Sequence, residues 1–267
     1  MQKIVECVPN FSEGRDRTVI GEITAAIESV QGVRLMDVDP GESTNRTVVT
    51  FIGEPEPVQE AAFRAARKAA ELIDMTRHSG EHARFGALDV CPFIPVANVT
   101  MDECAEMARA VGRRIGEQLG IPVYLYEKAA ASAQRRNLAD VRRGEDEVLK
   151  GEIPTNPHRA PDFGPAALGT AGASAVGARP PLIAFNVYLN SSDLGPAKAI
   201  ARAVRHSSGG LRYVKALGLL VEGQAQISMN LTDYRCTPIH RVLELIRIEA
   251  VRYGLTITHS EIVGLLP

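Results

Sequence analysis

Apolar residues cluster or alternate in short runs at 3–8, 33–38, 46–52, 90–96 and 122–126, and each run predicts a β-strand. Between these runs the period becomes helical. Val19, Ile20, Ile23, Ile27 and Val30 share one face before Gly32. Pro55 and Pro57 open a second helix with Val58, Ala62, Ala65, Ala69, Leu72 and Ile73 inward. Thr100 and Glu103 form a capping box ahead of a third, buried through Cys104, Met107, Val111, Ile115 and Leu119. This part of the chain reads β-α-β-β-α-β with an added α-β.

The same order returns from 182. A strand at 182–189 precedes a helix opened by Pro196, with Ala197, Ile200, Ala201 and Val204 inward. Strands 211–221 and 224–231 flank Glu222-Gly223 as a hairpin. Thr237 caps a helix that has Pro238 in its first turn, and 255–259 closes the pattern. The repetition predicts an α+β fold of two ferredoxin-like subdomains, 1–178 and 179–267, the second apparently shortened. Each sheet keeps one face free of its own helices. The two halves are therefore expected to pack together with a ligand groove between them.

Two stretches depart from the pattern. Residues 128–150 mix Arg135, Arg136, Arg142 and Arg143 with Glu145, Asp146 and Glu147, which predicts a solvated helical surface. Residues 151–181 are rich in Pro, Gly, Ala and Ser, as in an interdomain linker or a glycine-rich binding loop.

The 267 residues are 45% hydrophobic and carry a net charge of −2, so no overall field draws the chain to nucleic acid or anionic membrane. With no Trp, a base-stacking surface is not expected either. Scattered Cys7, Cys91, Cys104 and Cys236 read as buried free thiols. The absence of a signal-like start or a membrane-length apolar run points to a cytoplasmic protein with no membrane partner.

The densest chemistry lies at 74–95, D-M-T-R-H-S-G-E-H-A-R-F-G-A-L-D-V-C-P-F-I-P. His78 and His82 are spaced as in many zinc sites, but Ser79-Gly80 is poor helix and no third ligand is near, so no metal is expected. His82 is better suited to shuttling a proton, since an imidazole titrates near ~6.5. Asp39, at the end of a strand pattern, is a candidate to orient an imidazole or a substrate amine, or else part of an Asx-Pro turn. Arg46, Arg77 and Arg84 are candidate carboxylate clamps. There is no phosphate loop, dinucleotide fingerprint or G-x-S-x-G.

Three long motifs carry a resemblance: V-E-C-V-P-N-F-S-E-G-R at 5–15, D-V-D-P-G-E-S-T-N-R-T-V at 37–48, and H-S-G-E-H-A-R-F-G-A-L-D-V-C-P-F-I-P at 78–95. Together with A-P-D-F-G-P at 160–165 and L-I-A-F-N-V at 182–187, they resemble glutamate formimidoyltransferases, the transferase half of formiminotransferase-cyclodeaminases. The resemblance implies transfer of a formimino group from N-formimino-L-glutamate to N5 of tetrahydrofolate, the folate being a co-substrate, in histidine degradation. It puts the catalytic histidine on His82; Asp39 is then the candidate to stabilise the charged imidazole or the cationic intermediate. It also implies folate binding around Gly164, Pro165, Thr170 and Gly172, and a homodimer; Asn10, Arg46 and Arg84 are the candidates to bind the substrate. The alternatives left open are a formyl transferase using 5-formyltetrahydrofolate or N-formylglutamate, and a non-catalytic folate-binding protein.

Overall fold

Alternation along the first strand is expressed directly. Val5 and Cys7 of β1 (Ile4–Cys7) are buried, while Ile4 and Glu6 are half-buried. The computed structural model describes residues 1–80 and 84–266. These divide into two units, Met1–Pro180 and Pro181–Pro267.

In unit 1, β1 is followed by β2 (Asn10–Phe11), α1 (Arg17–Glu28), β3 (Val33–Gly41), β4 (Arg46–Gly53), α2 (Pro55–Leu72), β5 (Leu88–Ala97), α3 (Met101–Leu119) and β6 (Val123–Glu127). Short helices α4 (Leu138–Val141) and α5 (Glu145–Glu152) then lead to β7 (Ser174–Ala178). β1 and β2 lie between the same neighbours, β4 and β5, and act as one strand interrupted at Pro9, which has no N–H to donate. Across the described residues the sheet runs β3-β4-(β1,β2)-β5-β7-β6. All pairs are antiparallel except β5–β7 and β7–β6.

Helices α1, α2 and α3 bury most of their predicted faces in a core with Val49, Phe51, Cys91 and Phe93, but Leu72, expected inward at the end of α2, is exposed. On the other sheet face Phe85, Tyr124 and Tyr126 pack with Val141, Leu149 and Ile153. The capping box of α3 forms as read: the Glu103 N–H donates to Thr100 Oγ1 at 3.2 Å, and the Thr100 N–H to Glu103 Oε2 at 2.7 Å. A Thr100→Ala variant is expected to lose about 1 kcal/mol in chemical denaturation. Hydrogen bonds from Lys3 and from Thr100 hold the Glu103 carboxyl down to about 2. A depressed folded value means that its contribution is complete above the ordinary carboxylate range and fades as pH falls towards 2.

Two expectations are corrected here. Residues 151–181 are not a free linker: Ser174–Ala178 is a fully buried strand inserted between β5 and β6. Its small side chains carry no alternation to reveal it. The stretch 128–150 is largely exposed and partly helical, as read, but its Arg142 turns inward to Asp89. Cys7, Cys91 and Cys104 are buried free thiols, whereas Cys236 is exposed.

Unit 2 consists of β8 (Ile183–Leu189), α6 (Leu194–Val204), β9 (Val214–Val221), β10 (Gln224–Leu231), α7 (Ile239–Val251) and β11 (Ile257–Val263). Its sheet is antiparallel in the order β11-β8-β10-β9. α6 begins two residues before Pro196, because Asp193 accepts from the Gly195 N–H and caps the helix there. Pro238, not Thr237, occupies the cap position of α7; the Thr237 hydroxyl donates to the Arg212 carbonyl instead. No helix among the described residues is long and apolar enough to cross a membrane.

Candidate functional site

Asn45 ties the three sequence motifs together. Its Oδ1 accepts from the Gly14 N–H at 2.9 Å and its Nδ2 donates to the Ser79 carbonyl at 3.0 Å. Its own carbonyl meets His78 Nε2 at 3.0 Å. Asn45 is 7% exposed and has φ +47°, a left-handed conformation that asparagine tolerates better than most residues. Two glycines permit this convergence. A Cβ on Gly14 would lie 2.2 Å from the Gly41 carbonyl oxygen, and one on Gly80 would lie 2.4 Å from the Thr44 carbonyl oxygen.

A carbonyl can only accept, so His78 Nε2 carries the hydrogen in that contact. His78 Nδ1 is buried without a hydrogen-bond partner among the described residues. His82 itself lies outside the described residues. Arg84 is half-buried and engaged with its surroundings. Phe85 follows, with its ring fully buried edge-on to Tyr124.

The ends of this loop are held by the glycine-rich segment. The Met75 N–H donates to the Thr170 carbonyl at 2.7 Å, the Ala87 N–H to Ala171 at 2.9 Å, and the Ala173 N–H to Phe85 at 2.8 Å. Gly172, at φ +67°, leaves no room for a side chain: a Cβ would lie 2.7 Å from the Phe85 carbonyl oxygen. Of the residues expected to bind folate, Thr170 and Gly172 thus stand at the base of the histidine loop. Gly164 and Pro165 lie elsewhere, with Gly164 packed on Ile121 and Gly116.

Register places the remaining candidates. Asp39 of β3 and Asn10 of β2 both pair with Val48 of β4, and Arg46 lies two residues before Val48. All three therefore share the sheet face opposite α1–α3. Arg46 Nε donates to Asn10 Oδ1 at 3.0 Å, and its Nη1 pairs with Asp89 Oδ2. Arg142 Nη2 reaches the same oxygen at 2.9 Å. The Asp89 side chain is 0% exposed and the two arginines are 11% and 12% exposed, so this is an interior ionic cluster. Burial pushes the Arg46 guanidinium below its ordinary value, and Asp89 opposes that push.

A cavity of about 510 Å³ is lined by Tyr124, Arg135, Asp140, Val141, Arg143 and Arg159, and none of the expected site residues lines it. Its arginines are engaged in salt bridges: Arg135 with Asp162, Arg143 with Asp140 and Arg159 with Glu152. Among the described residues no three His, Cys, Asp or Glu side chains are grouped to hold a metal ion.

Residues 4–179 match the formiminotransferase domain, N-terminal subdomain, and residues 184–267 match the formiminotransferase domain. A glutamate formimidoyltransferase of Thermoplasma acidophilum is 50% identical across 99% of this chain and 88% of its own length. The chain belongs to the formiminotransferase family. Another glutamate formimidoyltransferase, from Streptococcus pyogenes, is 45% identical over the whole of this chain and 90% of its own. The formimidoyltransferase-cyclodeaminase of Sus scrofa is 48% identical over this whole chain, which spans 51% of that protein.

Asp89 and Arg142, the other members of the ionic cluster with Arg46, were given no role from the sequence. Asp89 had left a signal as the one charge inside the apolar run A-L-D-V-C-P-F-I-P, where a buried carboxylate needs a cationic partner. Arg142 had left none, because it is one of several arginines in a charged stretch.

Proposed function

We propose that this chain transfers the formimino group of N-formimino-L-glutamate to N5 of tetrahydrofolate and releases glutamate, a step of histidine breakdown. What carries the reading is the match to both formiminotransferase subdomains along nearly the whole chain, including a relative of that name at 50% identity. The convergence of the three motifs on Asn45 supports a site close to it.

The reaction joins N5 of the folate to the formimino carbon and breaks the bond from that carbon to the glutamate nitrogen. His82 takes the N5 proton as the tetrahedral intermediate forms, then gives it to the departing nitrogen. Asp39 steadies the imidazolium or the cationic intermediate. Arg46, oriented by Asn10 and Asp89, binds a substrate carboxylate together with Arg84. Thr170 and Gly172 contribute to folate binding at the base of the histidine loop, and Gly164 and Pro165 belong to the same segment. Holding the two substrates in register lowers the barrier further.

The α+β architecture is read as two ferredoxin-like units. Support comes from the β-α-β-β-α-β order in each, with the strand sequence β11-β8-β10-β9 in unit 2 and a sheet in unit 1 extended by β7 and β6.

Incubation with tetrahydrofolate and formiminoglutamate should yield 5-formiminotetrahydrofolate and an equal amount of glutamate, read by absorbance and mass. Turnover of N-formylglutamate alone would assign the formyl reaction instead, and folate binding with no turnover of either donor would assign a binding protein.

A further inference from the structure

Unit 2 carries a polar constellation that the motif residues leave out. Asn186 and Tyr188 of β8 and Gln226 of β10 alternate with Phe185, Val187, Ala225 and Ile227, which pack in the core with α6 and α7. The polar three therefore occupy the sheet face opposite those helices.

β11 would not reach them by simple alternation. Ile257 pairs with Leu189 on the core side, and strict alternation would keep residues 259 and 261 on that side too. An irregularity between Ile257 and His259 shifts the register, so that His259 pairs with Tyr188 and Glu261 with Asn186. One extra residue thus re-aims both side chains onto the polar face.

There a single carboxylate oxygen gathers three donors. Glu261 Oε1 accepts from Asn186 Nδ2 at 2.8 Å, from the Tyr188 hydroxyl at 2.9 Å, and from Gln226 Nε2 at the outer limit of 3.5 Å. The donors are 8%, 8% and 3% exposed, so each needs an acceptor. Burial, reinforced by Glu261, pushes the Tyr188 phenol up to about 12 and keeps it a donor. Glu261 is exposed, and its Oε2 takes no hydrogen bond among the described residues. Beside it His259 stacks on Tyr188, with centroids 4.2 Å apart at 11°.

A carboxylate fixed through one oxygen, with the other open next to a flat aromatic pair, suits a planar group that presents N–H donors. We propose that Glu261, oriented by Asn186, Tyr188 and Gln226, is a recognition carboxylate for such a group in one of the two substrates. The pyrimidine edge of the pterin and the formamidine of the donor both present this pattern. The assignment rests on the formimino-transfer reading.

Full-length Glu261→Gln and Tyr188→Phe would be compared with the unmodified protein by calorimetric binding of 5-formyltetrahydrofolate and by KM for each substrate. If the pterin is the group, Glu261→Gln weakens 5-formyltetrahydrofolate binding and raises KM for tetrahydrofolate by about tenfold or more, sparing KM for formiminoglutamate. If the formamidine is the group, only KM for formiminoglutamate rises. In either case kcat stays within about twofold, and Tyr188→Phe, which keeps the ring, shows a smaller change of the same selectivity. Unchanged KM values and binding, or a lowered melting temperature in both variants with no substrate selectivity, would overturn the proposal. An unmodified protein that neither binds folate nor turns over formiminoglutamate overturns the reaction reading itself, and the role of Glu261 with it.

Discussion

Replacing His82 with alanine is expected to lower kcat by about a hundred- to ten-thousandfold with both substrates saturating, and to leave their binding largely intact. The reason is that two proton movements in opposite directions bracket one intermediate. The N5 proton must leave as the new bond forms, and the glutamate nitrogen must gain one before it departs. An imidazole titrating near ~6.5 can do both at neutral pH, whereas an alanine can do neither. Any residual rate would come from holding the two substrates together. Steady-state kinetics at saturation, with circular dichroism to verify folding, decides the matter. If kcat falls by less than about tenfold, the proton shuttle lies elsewhere. His78 is then the first residue to test, because its Nδ1 is a buried acceptor in the same loop.

The second large effect concerns stability. Asp89→Asn should destabilise unit 1 by about 3–5 kcal/mol, because it removes the shared carboxylate from two nearly buried guanidiniums. An intact buried pair gains little net stability, since the cost of desolvation offsets the attraction. Removing one partner is different: the remaining charges stay in the interior while the compensation is lost. The amide of asparagine keeps the volume and isolates the electrostatic part. Denaturation with unchanged slope and a lowered midpoint is the expected record, together with a raised KM for the glutamate donor as Arg46 loses its orientation. A loss under about 1 kcal/mol would show that the arginines find other compensation.

Much of the fold was legible because local chemistry agreed with tertiary need. The Thr100–Glu103 box and, apart from the exposed Leu72, the apolar faces of α1, α2 and α3 formed where their periods put them. What escaped reading did so for identifiable reasons. β7, S-A-V-G-A, has side chains too small to show a period, yet every one of its residues is buried because parallel neighbours flank it on both sides. The register shift before His259 leaves no mark in the sequence, because a bulge here needs no special residue type. For the candidate site, motif spacing marked the three segments, but only the fold brings Asn45 to the point where it joins them.

The late arrival of β7 has a consequence for how the protein is made. Until residue 178 has left the ribosome, β5 and β6 have no partner along the edges that β7 will occupy. For roughly fifty residues of synthesis after β6 is complete, two bare strand edges are exposed to other nascent chains. Chaperone dependence in the cell should therefore concentrate in this interval, and chains truncated within it should precipitate where the full-length protein stays in solution.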